Sequence, residues 1–117
     1  MSKILVVDDS STDRRLVASA LSEHTVYEAR NGDEGIAMAR DKHPDLIVMD
    51  VVMPGKNGYQ ACRELKKLDE TKHIPVIMYT SKNLPTDIEW GKRQGADEYL
   101  TKPFDDAELL EIVSRYL

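Results

Sequence analysis

The chain has 117 residues, enough for one domain with a single buried core. Charged residues make up 32% and hydrophobic ones 41%, with a formal net charge of −5, which fits a soluble globular domain. That balance argues against a nucleic-acid surface, because phosphate backbones call for clustered Lys and Arg. The one cysteine, Cys62, has no intrachain partner, which points to a reducing compartment. Met1-Ser2-Lys3 runs straight into an apolar strand, so no secretory leader is expected, and no apolar run approaches the length of a membrane span. The expectation is a small cytoplasmic protein with neither nucleic acid nor membrane as partner.

In chain order, Ile4-Leu5-Val6-Val7 is a continuous apolar run, the mark of a strand buried on both faces, and it stops at Asp8-Asp9. Ser10 or Ser11 then caps a helix whose inner face is expected to carry Leu16, Val17, Ala20 and Leu21. A short strand around Thr25-Val26-Tyr27 follows, and Asn31-Gly32 turns the chain. Asp33 and Glu34 suit the first turn of a second helix, with Ile36 and Ala39 inward, which Pro44 ends.

The third strand is Leu46-Ile47-Val48-Met49, closing on Asp50. Pro54-Gly55 makes a turn, and Asn57 caps a third helix with Gly58, Ala61, Cys62, Leu65 and Leu68 inward. Val76-Ile77-Met78-Tyr79 is a fourth strand ending at Thr80-Ser81. The fourth helix starts near Pro85, runs to Gly95, and has a thin apolar face of Ile88 and Gly91 with Trp90 partly exposed. Glu98-Tyr99-Leu100 is the last strand, ending at Thr101-Lys102-Pro103. Asp105 or Asp106 caps a final helix with Leu109, Leu110, Val113 and Leu117 on one face. Five strands alternating with five helices imply an α/β domain, residues 1–117, with a parallel sheet covered on both sides.

Ligands of open α/β sheets bind at the carboxyl ends of the strands, where the strand order reverses. Those ends carry Asp8-Asp9, Asp50, Thr80-Ser81 and Lys102, while the second strand offers nothing comparable. Three carboxylates on one rim call for a counterion, and Lys102 neutralises only one of them. All-oxygen ligation suits Mg²⁺, and His24, His43 and His73 are too scattered to compete for a softer metal. Singly, each member has an ordinary reading: first-turn charge for Asp8-Asp9, a capping or turn acid for Asp50, a strand-end residue for Thr80, a loop Lys-Pro. Together on the right strand ends, they are the equipment for receiving a phosphoryl group on an aspartate.

Val6-Val7-Asp8-Asp9-Ser10-Ser11-Thr12-Asp13-Arg14-Arg15, Asp50-Val51-Val52-Met53-Pro54-Gly55-Lys56-Asn57-Gly58, Thr80-Ser81 and Tyr99-Leu100-Thr101-Lys102-Pro103-Phe104 resemble the receiver domains of two-component response regulators. The spacings of thirty residues from Asp50 to Thr80 and twenty-two from Thr80 to Lys102 fit the same family. Glu89-Trp90-Gly91-Lys92-Arg93-Gln94-Gly95-Ala96 is similar to single-domain regulators of type IV pilus twitching motility. Trp90 has two readings here, a partner anchor, since tryptophan is enriched at binding hot spots, or local packing.

The resemblance implies a flavodoxin-like (βα)5 fold with sheet order 2-1-3-4-5. It implies Asp50 as acceptor of a phosphoryl group from a histidine kinase, a CheA-like phosphodonor. Mg²⁺ would be held by Asp9 and Asp50, the backbone carbonyl of Val52, and Asp8 through water. Lys102 would pair with phosphoryl oxygens across a Lys102-Pro103 bond that is cis in the family. Thr80 would move toward the phosphoryl group and Tyr99 would turn into the space, altering a surface of the fourth helix, fifth strand and fifth helix for a downstream protein target, with a motility component as a candidate. A signalling protein rather than an enzyme, monomeric or weakly dimeric, is the expectation. Two rivals remain at this point: a phosphate sink without its own output, and a Mg²⁺-dependent phosphatase with an aspartyl nucleophile. The second chemistry usually has another acid two residues after the nucleophile on the first strand, where this chain has Ser10 after Asp8.

Overall fold

A computed structural model describes residues 2–117. The elements are β1 (Lys3–Val7), α1 (Ser11–Ala20), β2 (Thr25–Ala29), α2 (Gly32–Lys42), β3 (Leu46–Met49), α3 (Gly58–Lys67), β4 (Val76–Thr80), α4 (Pro85–Arg93), β5 (Glu98–Thr101) and α5 (Asp106–Ser114). All four strand pairings are parallel, in the order β2-β1-β3-β4-β5. The chain therefore begins in the sheet, steps out to β2, and returns across β1 to β3. The reversal between β1 and β3 opens a crevice at their carboxyl ends.

The strand residues alternate between two apolar layers, as a period of two requires. Leu5, Val7, Ile47, Met49 and Met78 meet Ile36 and Ala39 of α2 and Ala61, Cys62 and Leu65 of α3. Ile4, Val6, Leu46, Val48, Ile77 and Tyr79 meet Val17 and Leu21 at α1 and Leu109 and Val113 of α5. Burying each such Leu, Ile or Val is worth roughly 1.5–3 kcal/mol, so the sheet is held from both sides.

The caps are local chemistry. Ser10, Asn31, Asn57 and Asp105 each accept the backbone N–H three residues on, and Gln60 returns a bond to the Asn57 N–H, closing a capping box. Asn31 thus caps α2 rather than only turning the chain, and β2 runs on to Ala29, beyond the expected Tyr27. Gly55 turns the chain at φ 73°, a left-handed value that suits glycine.

Three expected core positions lie outside. Leu16 is 64% exposed, because the buried arc of α1 runs Arg14, Val17, Leu21 and an arginine occupies the place a leucine was expected to share. Leu110, one residue and 100° around α5 from Leu109, faces solvent, as does Leu117 beyond the helix end. In α4 only Gly91 is buried and Trp90 is exposed, matching the thin apolar face read from the sequence.

Candidate phosphoryl-acceptor site

Each acid is placed by the strand it ends. The Asp8 N–H donates to the Ala29 carbonyl (3.0 Å) and the Asp50 N–H to the Val7 carbonyl (2.9 Å), so the ladder extends one residue past β1 and β3 and sets both side chains over the crevice. A Cβ at Gly58 would fall 2.3 Å from the Asp50 carbonyl oxygen, so the first turn of α3 packs directly on the backbone behind Asp50 and admits only glycine.

Carboxylate oxygens of Asp8, Asp9 and Asp50 lie within 4.8 Å of one another, with Asp8 and Asp50 buried and Asp9 exposed. Two unit charges at that separation repel by about 3.5 kcal/mol at an effective dielectric of 20. Lys102 offsets part of this. Its ammonium is 3.0 Å from Asp13 Oδ2, 3.3 Å from Asp50 Oδ2 and 3.6 Å from Asp8 Oδ2, and it sits 4.8 Å above the Tyr79 ring centroid. Partial burial works to lower the Lys102 pKa, but the hydrogen bond to Asp13 and the charges of Asp50 and Asp8 prevail and hold it above the ordinary lysine value.

Asp8 is fully buried, with one donor on each oxygen: the Ser10 N–H to Oδ1 (2.9 Å) and the Tyr79 hydroxyl to Oδ2 (2.6 Å). Burial lifts its pKa above the ordinary carboxylate range. The Tyr79 and Ser10 bonds oppose that rise, and the Asp50 charge adds to it. The Asp8 carbonyl accepts from Arg14 Nη1 (2.8 Å), whose Nε donates to Glu28 on β2 (2.9 Å). The second strand therefore does contribute, at one remove. Asp50 Oδ1 accepts from the Val52 N–H (3.2 Å), which fixes the following loop against the carboxylate.

Thr80 is fully buried. Its hydroxyl accepts from the Lys82 N–H (3.4 Å) and its carbonyl from the Lys102 N–H (2.8 Å), tying β4 to the loop that carries the lysine; the Lys102-Pro103 bond is cis. The Tyr99 hydroxyl donates to the Lys82 carbonyl (2.8 Å) and lies 3.3 Å from that of Tyr59, which also reaches the Asp87 carbonyl (3.0 Å). Burial, then the Tyr59 contact, pushes the Tyr99 pKa up. Tyr99 and Thr80 thus converge on Lys82, in the segment between β4 and α4.

The structure brings Asp8, Asp9, Asp50 and Lys102 onto one rim, with Thr80 buried beside it and Val52 on the loop that follows. Sequence reasoning gave no role to Asp13 and Arg14, which lie in the acidic-pair segment, and missed Tyr79. Asp13 carried a faint signal, one helical turn after Asp9; Tyr79 carried none, since it reads as one more apolar residue of its strand.

This chain belongs to the response regulator receiver domains: the family model matches residues 4–114. The protein PilH of Pseudomonas aeruginosa is 50% identical over the whole of this chain and 98% of its own length. The chemotaxis response regulator CheY4 of Vibrio cholerae, at 34% identity, superposes with a TM-score of 0.92 over all of this chain and 99% of its own. The receiver domain of the sensor histidine kinase PA1611 from Pseudomonas aeruginosa, 30% identical over 98% of this chain and 96% of its own, superposes with a TM-score of 0.91; that structure holds a magnesium ion in its active-site cleft. The β2-β1-β3-β4-β5 order found here is that of the flavodoxin-like receiver fold.

Proposed function

We propose that this receiver domain is a phosphorylation-controlled binding module whose phosphoryl acceptor is Asp50. The observation that carries the reading is the contact between Asp50 Oδ2 and the Lys102 ammonium at 3.3 Å, beside a rim of two further carboxylates that one lysine cannot neutralise. The donor set fits Mg²⁺: every candidate atom is oxygen, and no Cys or His joins the cluster among the described residues. Asp9, Asp50 and the Val52 carbonyl would hold the ion, with Asp8 acting through water. When bound, it supplies positive charge for the incoming phosphoryl oxygens.

An Asp50 carboxylate oxygen attacks phosphorus, a P–O bond forms, and the P–N bond to the donor histidine of a partner kinase breaks with its electron pair leaving on the imidazole. Lys102 leaves Asp13 for a phosphoryl oxygen, and Thr80 offers its hydroxyl from β4. The new charge draws Thr80 inward, Tyr99 loses its partners at Lys82 and Tyr59, and the surface of α4, β5 and α5 changes for a downstream protein. No separate substrate is turned over, so the chain is a signalling protein. Its likeness to PilH and to the chemotaxis response regulator CheY4 supports a place in motility signalling, of the chemotactic or pilus kind.

Incubation with Mg²⁺ and acetyl phosphate, followed by intact mass, tests this. One phosphoryl adduct is expected, absent in Asp50→Asn; no adduct, or an undiminished one in Asp50→Asn, overturns the assignment. An adduct that leaves the amide resonances of α4 and Tyr99 unmoved refutes the switch and favours a phosphate sink.

A further inference from the structure

Tyr79 occupies an inward position of β4 where packing alone asks only for an apolar side chain. It is fully buried, and a buried hydroxyl is costly unless it is bonded. This one is bonded to Asp8 Oδ2 at 2.6 Å, and Asp8 is itself fully buried. The other Asp8 oxygen is held by the Ser10 N–H at 2.9 Å. The Ser10 N–H on Oδ1 and the Tyr79 hydroxyl on Oδ2, with the Lys102 ammonium 3.6 Å from Oδ2, fix the plane of a carboxylate whose ligand oxygen lies within 4.8 Å of those of Asp9 and Asp50. The Tyr79 ring lies under the Lys102 ammonium, and its edge contacts Phe104 at 85° with centroids 6.1 Å apart.

We propose that Tyr79 is a positioning residue for the cation site, its hydroxyl aligning Asp8 so that Mg²⁺ is held at full affinity. The inference rests on the Mg²⁺ reading above and adds to it a residue from the apolar strand. Hydrogen bonds that orient the groups around a metal commonly govern its affinity by ten- to a hundredfold, and Asp8, which would meet the ion through water, stands one step further out than a direct ligand. The Ser10 bond survives loss of the hydroxyl, so the lower end, about tenfold, is expected.

The test is calorimetric titration of the whole chain with MgCl₂, joined to the Mg²⁺-dependent shift of the Asp9 amide. Tyr79→Phe keeps the ring and removes only the hydroxyl; its half-saturating Mg²⁺ should rise about tenfold. Phe104→Leu removes the edge contact and should leave half-saturation unchanged, whatever it does to melting temperature. Mg²⁺ binding in Tyr79→Phe within twofold of wild type overturns the positioning role while the cation site stands. Absence of binding in the wild type overturns both. Should Tyr79→Phe not fold, the ¹³Cζ resonance of Tyr79 in the wild type decides: it should move in step with the Asp9 amide, and a fixed resonance overturns the proposal.

Discussion

Gly91→Ala sets two effects of known sign against each other. Gly91 is inside α4, where alanine is favoured over glycine by about 0.8–1 kcal/mol through backbone entropy alone. A Cβ there would meet Tyr99 Cδ2 and Cε2 at 2.8 Å and Met78 Sδ at 3.2 Å. The Tyr99 ring cannot yield freely, because its hydroxyl is bonded to the Lys82 carbonyl and lies against that of Tyr59. Overpacking of this kind costs about 1–3 kcal/mol, so the net expectation is destabilisation by about 1 kcal/mol. For a domain of this size the melting temperature should fall by about 4 °C. Urea denaturation of Gly91→Ala measures it. Repeating the substitution in Tyr99→Ala removes the ring, and there the helix-propensity gain should surface as stabilisation. A single variant as stable as wild type, or more so, refutes the claim that the Tyr99 ring sets the spacing of α4 from the sheet.

Arg14→Ala removes the guanidinium that bonds the Asp8 carbonyl and pairs with Glu28; allowing for the partial exposure of Glu28, the cost should be about 2 kcal/mol in chemical denaturation, and a loss below about 0.5 kcal/mol contradicts the anchoring role. Burial pushes the Cys62 thiol up to about 12, so iodoacetamide at pH 8 should alkylate the folded chain roughly a thousandfold more slowly than the urea-unfolded one, and comparable rates would refute that. Tyr116 donates to Glu98, and that bond, with burial, raises its pKa from 10.0 to about 12. Because the folded value is the higher one, the stabilisation is complete below pH 10 and lost as pH rises toward 12. Absorbance titration at alkaline pH should show this transition move down in Glu98→Ala; an unmoved transition denies the contact.

Much of the site was legible because strand ends are legible. Three apolar runs stop abruptly at Asp8, Asp50 and Thr80, a fourth strand ends at Thr101 just before Lys102, and a parallel sheet forces such ends onto one rim. What could not be read were contacts between elements far apart in sequence. The run Val76–Tyr79 looks the same whether its last hydroxyl is bonded or wet, and its partner, Asp8, is 71 residues away. The α1 periodicity likewise offered Leu16 for burial, and only the Asp8 carbonyl and Glu28 explain why Arg14 is buried instead. At α5, Leu110 and Leu117 satisfied a loose helical pattern that the narrower contact with the sheet does not need.

The alternation of β4 across the sheet has a mechanical consequence. Met78 belongs to the layer shared with α2, α3 and Tyr99, and Tyr79 to the layer shared with α1 and α5. Hydrogen-bonded backbone stands between them as a partition. In the proposed switch, motion of Tyr99 and α4 would draw on the slack of one compartment, while the other acts as ballast that holds Tyr79 and, through its hydroxyl, Asp8. A domain divided in this way can deform on one side and stay stiff on the other. Hydrogen exchange should bear this out, with amides of α4 opening independently of those in β1 and β3.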